Sequence, residues 1–102
     1  MTDTSHVRDG SGDGYIRLSG DLDVVTVPQV AADVIKAVRA ARGVMTVDVA
    51  DVMFVDSAGV GLLADVLALG TARGQAIVLE GASHRLHKLL LQCGIESLFS
   101  YR

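Results

Sequence analysis

The chain has 102 residues, half of them hydrophobic, with four aromatic residues and no tryptophan. That is the size of one domain, whose core must be built from Val, Leu, Ile and Ala rather than from rings. A net charge of −3 supplies no basic surface for nucleic acid, one cysteine excludes an internal disulfide, and no apolar run reaches the roughly 20 residues that a bilayer crossing needs.

The first 13 residues are polar, with no apolar stretch of the kind a secretion leader carries, so a cytoplasmic protein is expected. The N-terminal segment reads as frayed at its start, or as a short strand near His6–Arg8 joined by the turn-rich run Asp9–Gly14 to the next strand as an edge hairpin. Tyr15–Ser19 alternates, with Ile16 and Leu18 on one face and Tyr15, Arg17 and Ser19 on the other. Gly20–Asp23 ends that strand. Thr26 is placed to cap a helix that Pro28 opens, and Val27, Val30, Val34, Val38 and Ala41 give it one apolar stripe until Gly43. Thr46–Val49 is β-branched and reads as a buried interior strand, followed by a loop over Asp51–Val55. Asp56 and Ser57 stand where the N-cap and first turn of a second helix belong, and that helix runs to about Ala72, with Gly74 as its stop. Gly59 and Gly61 leave its first turns without side-chain bulk, so a partner can come close to the backbone. Ala76–Leu79 is a further apolar strand. Ser83 caps a third helix, Ser83–Cys93, with Leu86, Leu89, Leu90 and Cys93 on its buried side, and Ile95–Tyr101 is a short apolar tail packed on the sheet.

Strands alternating with amphipathic helices predict an α/β fold with a small mixed sheet and helices packed against it, as one domain over residues 1–102. The positions that satisfy both periods form the expected core: Ile16, Leu18, Val34, Val47, Val49, Leu63, Val66, Ile77, Leu79, Leu86 and Leu90. If the first two parallel strands are neighbours, Asp21, Asp23, Asp56 and Ser57 share one edge.

Two motifs carry a family resemblance. Met53–Leu63, MFVDSAGVGLL, is similar to the signature loop of the STAS domain (sulfate transporter and anti-sigma factor antagonist), and Leu18–Asp23, LSGDLD, resembles that family's upstream motif. Order and separation match, and the resemblance runs from about Tyr15 to Phe99. Ala58 departs from it, since several members carry a second hydroxyl there; Ser57 is then the single hydroxyl of the loop. The resemblance implies a bacterial anti-sigma factor antagonist that works by partner switching. It would bind an anti-sigma factor serine kinase, be released when that kinase phosphorylates Ser57, and be restored by a serine phosphatase. Asp21, Asp23, Asp56, Ser57, Ala58, Gly59, Val60 and Gly61 would meet the partner. No catalytic residue, metal, cofactor, nucleic acid or membrane is implied; oligomeric state and weak nucleotide binding near Ser57 are left open. The alternative is a STAS interaction module in another assembly, such as a phospholipid transport subunit or a stress-signalling scaffold.

Other chemistries fit less well. Asp21 and Asp23 resemble the acidic pair of a haloacid dehalogenase-type phosphatase, but Lys36 and Lys88 are the only lysines, and both fall on helices. Asp56 could be the phosphoacceptor of a receiver domain, yet Glu80 stands where that reading needs a lysine. A hydrolase needs glycine two before its serine, and Val55 is there. His84 and His87 share a helix face, but Arg85 and Lys88 interleave and repel a cation, and no acid or cysteine is placed beside them. Cys93 reads as a small buried hydrophobe at a helix end.

Overall fold

A computed structural model describes residues 2–8 and 12–102, with side chains described from Gly12 onward. Among the described residues five strands and three helices follow one another: β1 (Thr2–Arg8), β2 (Asp13–Leu22), α1 (Val27–Ala40), β3 (Met45–Val55), α2 (Ser57–Ala72), β4 (Ile77–Glu80), α3 (His84–Gln92) and β5 (Ser100–Tyr101), with a 3-10 turn at Glu96–Leu98. The strands form one sheet in sequence order. β2 to β5 are parallel and β1 is an antiparallel edge, so the sheet is mixed as expected. The expected turn over Asp9–Gly14 lies, from Asp9 to Ser11, outside the described residues.

Ile16, Val47 and Leu79 stand in one register row across β2, β3 and β4. They join Val30, Val34 and Val38 of α1, Leu63 and Val66 of α2, and Leu86 and Leu90 of α3 in a single core. All eleven expected core positions belong to it. The opposite face of the sheet carries the row Tyr15, Thr46 and Val78, all buried as well.

The structure extends two strands past their expected ends. Gly20–Leu22 continues β2, and Asp51–Val55 continues β3 instead of forming a loop, because Ser19 pairs with Asp51, Gly20 with Val52, Asp21 with Phe54 and Leu22 with Val55. Register shifts between Arg17 and Ser19 and between Gly20 and Asp21 break the alternation that marks a strand. Gly20 takes a positive φ of 76°, open to glycine at little cost.

At the other end of the chain, Cys93 is exposed rather than buried. It closes α3 as the C-cap, and Gly94 at φ 76° turns the chain away there, so the helical stripe ends at Leu90. Leu89 is half-buried against the core.

Candidate functional site

β2 and β3 are adjacent and parallel, so the loops that leave their C-terminal ends lie side by side. Asp23–Thr26 follows β2 and Asp56 follows β3. Asp56 is the N-cap of α2, in extended backbone conformation. Its Oδ1 accepts the N–H groups of Ala58 at 2.8 Å and Gly59 at 3.3 Å, two of the donors that a helix start leaves without intrahelical partners. Its Oδ2 accepts the N–H of Val24 at 3.3 Å, and its own N–H donates to the Leu22 carbonyl at 3.1 Å. One residue thus caps the helix and fastens both loops together.

Ser57 is the first residue of α2 and is exposed. Among the described residues nothing hydrogen-bonds its hydroxyl. Asp21, near the end of β2, is exposed, and Asp23 is half-buried. Asp21, Asp23, Asp56 and Ser57 therefore share one edge.

Asp23 has a structural task that its loop position did not reveal. Its Oδ1 accepts the N–H groups of Val25 and Thr26, each at 2.9 Å, and its carbonyl accepts the N–H of Val27. The N–H donated by Thr26, then that of Val25, holds the Asp23 carboxyl below its ordinary pKa against the opposing effect of burial. Thr26, expected as the side-chain cap of α1, makes no such bond. Its hydroxyl turns back into the loop, donating to the Asp21 carbonyl at 2.5 Å and accepting the Asp23 N–H at 3.0 Å.

The residues expected to meet the partner differ in exposure. Gly59 and Val60 are buried, while Gly61 is exposed and Ala58 half-buried. A Cβ on Gly59 would meet the Leu22 carbonyl oxygen at 2.5 Å, so this glycine serves the close packing of α2 on the end of β2. A Cβ on Gly61 would meet nothing within 4 Å, and there the backbone is open to an approaching surface.

Sequence reasoning missed the apolar character of this edge. Val24, Val25, Met53 and Phe54 are all exposed large hydrophobics. The signal was present: Met53 and Phe54 sit in an apolar run that no helical stripe uses, and Val24 and Val25 precede the stripe of α1. The Arg85 guanidinium lies over the Phe54 ring, 5.7 Å from its centroid.

A second polar group sits on the opposite face of the sheet. Asp48 is buried; its Oδ2 accepts the Tyr15 hydroxyl at 2.5 Å and lies 3.5 Å from Arg17 Nε, and its Oδ1 accepts the Ala50 N–H at 3.0 Å. Burial raises the Asp48 pKa, but the Tyr15 hydroxyl, the Ala50 N–H and the Arg17 charge outweigh it and hold the carboxyl below its ordinary value. The same bond to Asp48, with burial, raises the Tyr15 hydroxyl above 10.0.

One of the two helical histidines differs from expectation. An acid does stand beside one of them: Glu96 Oε2 is 3.3 Å from His87 Nδ1, and the His87 ring lies 4.4 Å from that of Tyr101. His84 is exposed. Among the described residues no three His, Cys, Asp or Glu side chains gather as a metal would need, and no helix is long and apolar enough to cross a membrane.

A small α/β domain with four parallel strands, β2 to β5, and three helices is the architecture of a known family. Residues 5–100 match the family model described as "Mlab, STAS domain", and the chain belongs to the STAS family. Solved structures agree in fold. An anti-sigma factor antagonist from Mycobacterium paratuberculosis is 26% identical, with a TM-score of 0.72 over 96% of this chain and 83% of that one. The anti-sigma factor antagonist SpoIIAA in its unphosphorylated form is 23% identical, with a TM-score of 0.72 over 100% of this chain and 86% of that one. A sulfate transporter family protein from Wolinella succinogenes is 21% identical, with a TM-score of 0.71 over 89% of this chain and 77% of that one. A comparison with curated proteins gives no significant match.

Proposed function

We propose that this protein is an anti-sigma factor antagonist of the bacterial cytoplasm, a binding partner and substrate rather than an enzyme. Unphosphorylated, it docks on an anti-sigma factor serine kinase and so frees a sigma factor. Phosphorylated on Ser57, it is released, and a serine phosphatase restores it. The observation that carries this reading is the exposed Ser57 hydroxyl at the start of α2, on an edge that combines exposed apolar side chains with Asp21, Asp23 and Asp56. Membership of the STAS family, and the likeness to the Mycobacterium antagonist, support it.

The mode of switching is electrostatic. A phosphate adds about −1.5 to −2 charges at pH 7. The N–H groups of Ala58 and Gly59 already serve Asp56, so the phosphate finds that helix end occupied and adds its charge to an acidic edge facing the partner. Desolvating that charge in a docked interface costs several kcal/mol, which weakens binding by about a hundredfold or more. The experiment is incubation with the anti-sigma factor kinase of the source organism and ATP, followed by peptide mapping and a binding titration. Ser57→Ala should take no phosphate and bind constitutively, and Ser57→Asp should bind poorly. Phosphate on Thr71 or Ser83 with Ser57 unmodified would refute the reading, as would equal affinity of the modified and unmodified chains.

A second reading, a STAS subunit held permanently in a larger assembly, has one observation in its favour. α2 is apolar on its outer side too, where Ala64, Ala68 and Ala72 border Ile95 and the exposed Leu98. Stable copurification with a transporter subunit, whatever the state of Ser57, would favour it.

A further inference from the structure

Beyond the switch, the edge of the sheet carries a pattern that is complementary to itself. Among the described residues six large hydrophobics are exposed, and four of them gather here: Val24 at 70%, Val25 at 66%, Met53 at 82% and Phe54 at 41%. Phe54 has neighbours of both charges. It pairs across the sheet with Asp21 on β2, and the Arg85 guanidinium of α3 lies over its ring, 5.7 Å from the centroid. Asp23 and Asp56 extend the acidic flank. Lys88, one turn on from Arg85, extends the basic one, and α3 has no acidic residue at all.

The centre of the edge also offers a knob and a hole. β4 pairs with β3 only as far as Asp48, so among the described residues no strand lies beside the remainder of β3 on that side. Beside it opens a cleft whose lining includes Val49, Val52, Met53, Phe54, Arg85 and Leu86. Its volume is about 20 Å³, room for one methyl-sized group and far below the several hundred Å³ that a small-molecule ligand fills. Met53, unbranched and almost wholly exposed, is the kind of side chain that fills such a gap.

We propose that this edge is a weak self-association surface, on which two copies of the chain meet across a two-fold axis, Met53 of each seated in the cleft of the other. The charges choose the axis. A two-fold at Phe54, perpendicular to the line from Asp21 to Arg85, sets Asp21 of each copy opposite Arg85 of the other, whereas an axis along that line sets like against like. An isologous contact requires such self-complementarity. Beside its acidic flank this edge carries the basic side chains of α3, so one copy supplies both halves of the charge pairing. The proposal does not depend on phosphorylation of Ser57, although the covered surface borders that residue.

The patch is small, so the dimer should be weak, with a dissociation constant between about 10 µM and 1 mM. Sedimentation equilibrium of the full chain across that range should show a monomer–dimer equilibrium that loosens as salt rises, because the paired charges are screened. Met53→Glu and Arg85→Asp should each lower the association constant at least about tenfold, and the double variant Asp21→Arg with Arg85→Asp should recover it. Circular dichroism melts confirm that each variant folds. A chain that stays monomeric throughout overturns the proposal, and so does a Met53→Glu chain that dimerises like the unmodified one, since the contact then lies elsewhere, for instance on the outer side of α2. Failure of the double variant to recover association overturns the two-fold arrangement. A monomer that uses Met53 only to bind a foreign protein also overturns it. None of these readouts contains a kinase, so they stand or fall apart from the switch.

Discussion

Gly59 and Gly61 lie two residues apart at the start of α2, and the helix by itself treats them alike: alanine at either position favours it by about 1 kcal/mol. Their surroundings separate them. A Cβ on Gly59 would fall 2.5 Å from the Leu22 carbonyl oxygen, 2.8 Å from Val55 Cγ1 and 2.9 Å from Leu22 Cβ. The carbonyl is not free to recede, because it accepts the Asp56 N–H at 3.1 Å, the bond that sets the N-cap on the end of β2. Overpacking of this kind costs about 1–3 kcal/mol, and loosening that hydrogen bond adds about 1 kcal/mol. Set against the helical gain, Gly59→Ala should lose about 1–3 kcal/mol. Gly61 is exposed with no atom within 4 Å of its would-be Cβ, so Gly61→Ala should keep the whole gain. In a domain of this size 1 kcal/mol moves the melting midpoint by about 4–8 °C. Gly61→Ala should therefore melt about 5 °C above the unmodified chain, and Gly59→Ala about 5–20 °C below it. Thermal melts and urea titrations followed by far-UV circular dichroism measure both. A Gly59→Ala chain as stable as Gly61→Ala would refute the close approach of α2 to β2.

The remaining stability predictions concern carboxylates. Asp48 has a folded-state pKa below its unfolded value, so its contribution is complete above the unfolded pKa of about 3.9 and is lost as pH falls through the folded value. Tyr15→Phe removes the hydroxyl bonded to Asp48 and so brings the folded pKa back toward the unfolded one; the variant should be less stable at neutral pH and, in urea titrations, should lose less stability across the acid range than the unmodified chain, and an unchanged acid limb would show that the bond does not support the charge. Tyr15 itself has a raised pKa, so its contribution is complete below 10.0 and is lost as pH rises through the folded value. Asp23→Ala should lower the melting midpoint because the turn leading into α1 loses its acceptor for Val25 and Thr26, whereas Asp23→Asn should restore most of it; equal midpoints for all three chains would make Asp23 a surface residue only.

The core was legible in the sequence because helix and strand periods select the same residues: Ile16 and Val47 by alternation, Val34, Leu63 and Leu86 by helical spacing. Asp56 and Ser57 were legible for a local reason, the chemistry of a helix start. Features that depend on a neighbour across the fold were not. The continuation of β3 to Val55 depends on Ser19–Leu22 lying alongside with two register shifts, and alternation fails where register shifts. Tyr15 and Arg17 alternate outward as a half-buried strand predicts, yet Tyr15 is buried because Asp48, 33 residues on, accepts its hydroxyl. Gly59 and Gly61 look equivalent in sequence; only the position of Leu22 distinguishes them. Between Asp23 and Thr26, two good capping residues three apart, propensity does not decide which side chain holds the turn.

The geometry around Asp56 constrains how a charge on Ser57 can act. Both Asp56 oxygens are engaged, one by the first turn of α2 and the other by Val24, and its backbone N–H is tied to Leu22. A phosphate on the adjacent residue could take the Ala58 and Gly59 N–H groups only by displacing a carboxylate that also joins the two loops. Keeping that cap leaves the helix start, the β2 end and the core beneath them as they are. The new charge then acts outward, on an edge whose Val24, Val25, Met53 and Phe54 are already exposed and whose flank is already acidic. A switch of this form needs no second fold. It needs only a docking surface in which apolar contact supplies the affinity and one hydroxyl decides whether burying that surface also buries a charge.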